Sequence, residues 1–139
     1  TMKYVFVKYP AAKQFIKFVI VGLVNTAIDF FIYFSLTRGT EFFNQHLLSA
    51  NVIAFSVAAT NSFFWNKKWT FRDQSKKYHT QYAKFLIVSI GGLILSQIIF
   101  VFGVHYLKIS DILTKLAAVI IVTFWNFSLN KLWTFKKIY

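Results

Sequence analysis

The chain has 139 residues, of which 57% are hydrophobic, 21% aromatic and only 14% charged, a balance far more apolar than a water-soluble domain of this length can bury. Its formal net charge of +12 would point to nucleic acid in a soluble protein. Here the cations flank apolar runs, so an anionic membrane leaflet accounts for them and nucleic acid is set aside. The absence of cysteine excludes disulfides and thiolate metal or redox sites.

Four apolar runs follow one another, each about the length that a ~30 Å hydrocarbon core requires of a helix. They predict helices at roughly Gln14 to Leu36, Leu47 to Trp65, Lys84 to His105 and Leu113 to Leu132. The first run is too long for a removable signal peptide and has no small-residue cleavage pattern after it, so it is read as a permanent helix. Lys3, Lys8, Lys13 and Lys17 precede helix 1. Lys67, Lys68, Arg72, Lys76, Lys77 and Lys84 separate helices 2 and 3, and Lys131, Lys136 and Lys137 end the chain. The two other loops, near Gly39 to His46 and Lys108 to Asp111, hold only Arg38, Lys108 and Lys115 between them and the neighbouring helix ends. Because basic segments are retained inside, both termini and the central loop are expected on the cytoplasmic side, with Trp65, Trp69 and Trp133 as an inner aromatic belt. The expected fold is an all-α, four-helix, multi-pass protein of one transmembrane domain, in the cytoplasmic membrane of a bacterium.

The chain also resembles itself. The stretch from Gln14 to Val21, QFIKFVIV, recurs as QYAKFLIV from Gln81 to Val88, and NKKWTF from Asn66 to Phe71 recurs as NKLWTF from Asn130 to Phe135. Ala54 and Ala118 precede the second motif at matching positions, as do Phe63 and Phe127. The expectation is two helical hairpins, about 14–71 and 81–135. Since each crosses the membrane an even number of times, they are parallel repeats about an axis along the membrane normal.

Polar residues inside a span face the bundle, a cavity or a partner. Asn25 and Asp29 share a face of helix 1 by their i, i+4 spacing, with Gly22 one turn earlier making room. Asp29 is the one carboxylate placed inside a span; it is either functional or hydrated near the outer interface. Asn61, Asn66, Asn126 and Asn130 fall in the same third of helices 2 and 4. Their amides suit sugar hydroxyls, since each donates and accepts, or they bond between helices, at about 0.6 kcal/mol per pair. Lys67 and Lys131 either meet a lipid phosphate or snorkel to the interface. Lys115, at the outer end of helix 4, either receives a phosphate or snorkels outward. Trp69 and Trp133 either stack on a sugar or anchor the interface.

Catalytic groupings are missing. His46, His79 and His105 have no metal-ligand spacing, and Asp29, Glu41, Asp73 and Asp111 are too dispersed for a carboxylate pair. No glycine-rich phosphate loop ending in Lys-Ser/Thr is present. The sequence predicts no metal, no cofactor and no enzyme.

The residues FVIVG from Phe18 to Gly22 with Asn25, NSFFWNKKWTF from Asn61 to Phe71, and NFSLNKLWTF from Asn126 to Phe135 resemble the GtrA-like family of small four-helix membrane proteins over nearly the whole chain. The resemblance implies a role in glycosylation of cell-surface polysaccharide: passing a polyprenyl-phosphate-linked monosaccharide from the leaflet where a membrane glycosyltransferase makes it to the other. It implies Asn61, Asn66, Asn126, Asn130, Lys115 and the aromatic endings as site residues, and a glycosyltransferase as partner. Gly92 stands where the repeat would place a counterpart of Asn25, so the halves need not contribute equally. Four helices barely enclose a head-group path, which leads to the expectation of a homo-oligomer or a complex. Two other readings stay open: a scaffold that holds the glycosyltransferase without moving lipid, and a small-solute exporter using Asp29.

Overall fold

The computed structural model describes residues 10–136, and among these it is helical, without strands. Four helices are long and apolar enough to cross a membrane. α1 runs Pro10–Gly39, the short α2 Glu41–Gln45, α3 Leu47–Trp65, α4 Tyr78–Val101 and α5 Asp111–Leu129. Three π-helical turns, Asn66–Thr70, Phe102–Tyr106 and Asn130–Thr134, extend α3, α4 and α5. The spans therefore exceed the predicted ones, most and by the same margin at α1 and at α4, which begins at Tyr78 and not Lys84. Hydropathy marks the part of a helix that lies in hydrocarbon, whereas backbone hydrogen bonding continues through polar turns such as Tyr78 to Gln81 until a breaker stops it. Lys3, Lys8 and Lys137, used above for orientation, lie outside the described residues.

The chain divides after Gln74 into two compact units, each a helical hairpin. In the first, α1 packs on α3. Ala50, Ala54 and Ala58, spaced by one turn along α3, are buried, as are Val21, Asn25 and Thr37 of α1; small side chains let helix backbones approach where lipid supplies no hydrophobic drive. The connection is fixed by polar bonds: Thr40 Oγ1 accepts from the Phe43 N–H at 3.3 Å as the N-cap of α2, and Asn44 Nδ2 donates to the Thr37 carbonyl at 3.1 Å.

In the second hairpin the small residues sit on α4. A Cβ on Gly103 would lie 2.5 Å from Thr114 Cγ2, one on Gly92 2.7 Å from Asn126 Oδ1, and one on Gly91 3.3 Å from the Trp125 ring. At Gly103 and Gly92 a larger residue would fit only if the facing side chain moved, and at Gly91 the indole would have to give by a few tenths of an ångström. Gly22, by contrast, has nothing within 4 Å of a built Cβ, so the expectation that it makes room beside Asn25 is corrected: it faces open space. Ser110 caps α5 by accepting from the Leu113 N–H at 3.3 Å.

The large apolar side chains point outward in both hairpins, with Leu48 77%, Phe31 73% and Ile112 68% exposed. Water would not tolerate that surface, and lipid solvates it. The protein is a multi-pass membrane protein.

Candidate functional site

The π-turns that extend α3 and α5 are built the same way. Phe71 N–H donates to the Asn66 carbonyl at 2.9 Å and Phe135 N–H to that of Asn130 at 2.8 Å, the i→i−5 closure of a π-turn. The two asparagine side chains brace these turns. Asn66 Oδ1 accepts from the Thr70 hydroxyl at 2.8 Å while its Nδ2 donates to Ser62 Oγ at 3.2 Å. Asn130 Oδ1 accepts from the Thr134 hydroxyl at 2.8 Å while its Nδ2 donates to the Asn126 carbonyl at 2.7 Å. Both asparagines are 1% exposed. Each amide is thus engaged at both ends within its own helix, a bracing role beside which the expected place on a groove stays an expectation.

Lys67 is likewise engaged within the protein. Past the first π-turn Arg72 takes a left-handed φ of 49°, and the Asp73 N–H donates to the Lys67 carbonyl at 2.7 Å, a reversal that turns the Asp73 carboxylate back onto the Lys67 ammonium at 2.8 Å. The pair is buried. Removing water from both ions at once is tolerable only because they neutralise each other. Lys131, its counterpart in the second motif, is half-buried, with Nζ 5.9 Å from the centre of the Phe127 ring.

Other candidates come together in the first hairpin. Asn61 Nδ2 donates to Asn25 Oδ1 at 2.8 Å across α1 and α3, and the Asn25 amide N–H₂ group, in a residue 8% exposed, has no partner among the described residues. Asp29 lies one turn beyond Asn25 and is half-buried; with α1 rising 1.5 Å per residue, it stands about 18 Å from the level of Lys17 and about 13 Å from that of Arg38.

Along α3 and its π-turn runs a groove of about 770 Å³, lined by Ser56, Val57, Thr60, Asn61, Phe64, Trp65, Lys68 and Trp69. It holds Asn61 and Trp69 of the predicted residues. It also holds Lys68, which sequence reasoning used only for orientation, with Nζ 5.7 Å from the Phe64 ring centre. Trp69 is approached from α1: Lys17 Nζ donates to its carbonyl at 3.4 Å and lies 5.1 Å from its ring centre.

In the second hairpin Lys84 Nζ lies 5.3 Å from the Trp133 ring centre, the same contact at the matching residues. No asparagine pair accompanies it. Trp125 Nε1 donates to the Val88 carbonyl at 3.2 Å, and Asn126 Oδ1 is buried without a partner among the described residues. Lys115 is exposed, with Nζ 5.9 Å from the Phe100 ring centre. Among the described residues no three His, Cys, Asp or Glu side chains cluster in a way that could hold a metal ion.

The family described as GtrA/DPMS, transmembrane domain, matches residues 17–135. An uncharacterized membrane protein of Bacillus subtilis (strain 168), YngA, is 31% identical over 120 residues, which span 86% of this chain and 77% of that relative. The matched region takes in all four spans from Lys17 onward, both π-turns with their bracing asparagines, and the groove, and the chain belongs to the GtrA/DPMS transmembrane-domain family.

Proposed function

We propose that the protein translocates a polyprenyl-phosphate-linked monosaccharide across the bacterial cytoplasmic membrane for glycosylation of a cell-surface polysaccharide, without itself catalysing a reaction. The observation that carries this reading is the groove on α3: it combines a polar stretch at Thr60 and Asn61, a cation at Lys68 and apolar walls at Val57, Phe64 and Trp65. A phosphosugar moved through hydrocarbon unpaired would cost tens of kcal/mol by Born estimates, whereas its prenyl tail never has to leave lipid. A groove open along its length meets both demands. The sugar hydroxyls exchange water for the Asn61 and Asn25 amides, and Trp69 offers a stacking face.

In this reading the Lys17 and Trp69 end of the first hairpin is cytoplasmic and the two hairpins are copies of one unit. The recurrence of the Lys-over-Trp contact and of the braced π-turn supports the duplication. An inside-negative potential favours outward movement of an anion by about 2.3 kcal/mol per charge per 100 mV, so no nucleotide hydrolysis is required. A homo-oligomer or a complex with the glycosyltransferase completes the enclosure.

A scaffold role is the second reading, favoured by the internal use of Asn66 and Asn130. The two separate in cells. Asn61→Leu should abolish glycosylation of the surface polymer while this protein and the glycosyltransferase both stay in the membrane. Normal glycosylation by that variant contradicts translocation through the groove, and disappearance of the glycosyltransferase with this protein removed identifies a scaffold.

A further inference from the structure

We propose that Lys17 and Lys68 form an anion site at the mouth of the groove that takes the phosphate of a prenyl lipid. The inference deepens the translocation reading and rests on it for the identity of the lipid, but the site is argued from charge and geometry.

Between Leu47 and Ser110 the sequence has one acidic residue, Asp73, and its carboxylate is held on Lys67 at 2.8 Å in a buried pair. Among the described residues neither Lys17 nor Lys68 meets a carboxylate. Like charges gathered at the edge of a low-dielectric medium repel unless an anion joins them.

The cations are also aimed. Lys17 is fixed by the Trp69 carbonyl and ring, and Lys68 stands over Phe64. Trp69 and Phe64 are both walls of the groove, so each ammonium is carried by a ring that lines it. Beyond them the groove has apolar walls at Trp65 and Val57 on either side of the polar stretch at Thr60 and Asn61. A charged mouth on a groove open to lipid and walled by apolar side chains matches an amphiphile whose anionic head enters while its hydrocarbon tail stays outside.

General attraction to an anionic leaflet would treat both hairpins alike. They differ here: NKKWTF becomes NKLWTF, so the counterpart of Lys68 is Leu132, and Lys84 over Trp133 stands without a second ammonium from that position. The two-cation mouth belongs to the first hairpin.

The test is a titration of the purified full chain in neutral detergent with farnesyl phosphate, read by tryptophan fluorescence and by the shift in unfolding temperature. The expected result is saturable binding, weakened at least tenfold in Lys17→Gln/Lys68→Gln, kept in Lys17→Arg/Lys68→Arg and unchanged in the charge-matched Lys76→Gln/Lys77→Gln. The arginine variant shows that a loss reflects charge and not misfolding. Equal affinity of the wild type and the glutamine variant, or equal binding of farnesol, overturns the site. Equal affinity for inorganic phosphate overturns the lipid assignment. If farnesyl phosphate binds as expected while no lipid crosses the bilayer, the translocation reading fails and the site stands; if lipid crosses and the glutamine variant binds normally, the site fails alone.

Discussion

The two hairpins carry one frame and two different fillings. Both end their second span in a π-turn braced by an Asn–Thr hydrogen bond, Asn66 with Thr70 and Asn130 with Thr134, each at 2.8 Å, and both set a lysine of the first span over the tryptophan of that turn. Within that frame the first hairpin has an asparagine pair, a buried ion pair and a second cation at Lys68. The second has Gly92, an indole bonded to backbone at Trp125, and Leu132. A frame repeats because every span must satisfy its backbone and end at an interface in the same way. Ligand chemistry is under no such demand, so it is where the copies are free to diverge.

Substitutions at matched positions break or sharpen that comparison. The largest effect belongs to Asp73→Ala, which strands the buried Lys67 charge and should cost about 3–5 kcal/mol; Lys131→Ala in the other hairpin should stay within about 0.5 kcal/mol. Chemical denaturation in micelles measures both, and equal costs would mean that the ion pair does not distinguish the hairpins. Gly103→Ala forces a Cβ against Thr114 and should destabilise by about 1–3 kcal/mol, while Gly22→Ala, with open space around it, should be neutral or slightly stabilising in the same assay. Asn66→Ala and Asn130→Ala should each cost about 1–3 kcal/mol by leaving a buried threonine hydroxyl unpaired. Here the hairpins should agree, and a difference much beyond 1 kcal/mol would break the shared frame. Asn61→Leu should cost only about 0.6 kcal/mol for one interhelical bond, yet it should abolish glycosylation, whereas Trp125→Phe at the matching position should leave it intact.

The four spans were legible because hydropathy and cation placement are one-dimensional signals; their polar ends were not, because a helix does not stop where hydrocarbon does. Asn25 and Asn61 were singled out as intramembrane amides, and the structure joins them. Asn66 and Asn130 were singled out on the same grounds and turn out to be bracing. The signal that separates them was present in the sequence: each is followed by a threonine at i+4, a hydroxyl placed to take the amide oxygen, while Asn61 and Asn25 have Trp65 and Asp29 there. The Lys67–Asp73 pair was illegible, since it depends on a left-handed arginine at position 72, a conformation that costs a side-chain-bearing residue about 1–2 kcal/mol and that no local pattern announces. Lys68 was passed over because it looked like one basic residue among many, although it is the difference between the two NKxWTF motifs.

The central claim is that the groove of the first hairpin carries a phosphosugar head group across the membrane. Its most direct test is transbilayer movement of a polyprenyl-phosphate monosaccharide in liposomes containing only the purified protein, compared with Asn25→Leu/Asn61→Leu and with Trp125→Phe. The account predicts rapid movement by the wild type, retained in Trp125→Phe and lost in the double variant. Movement by the double variant at the wild-type rate would contradict it.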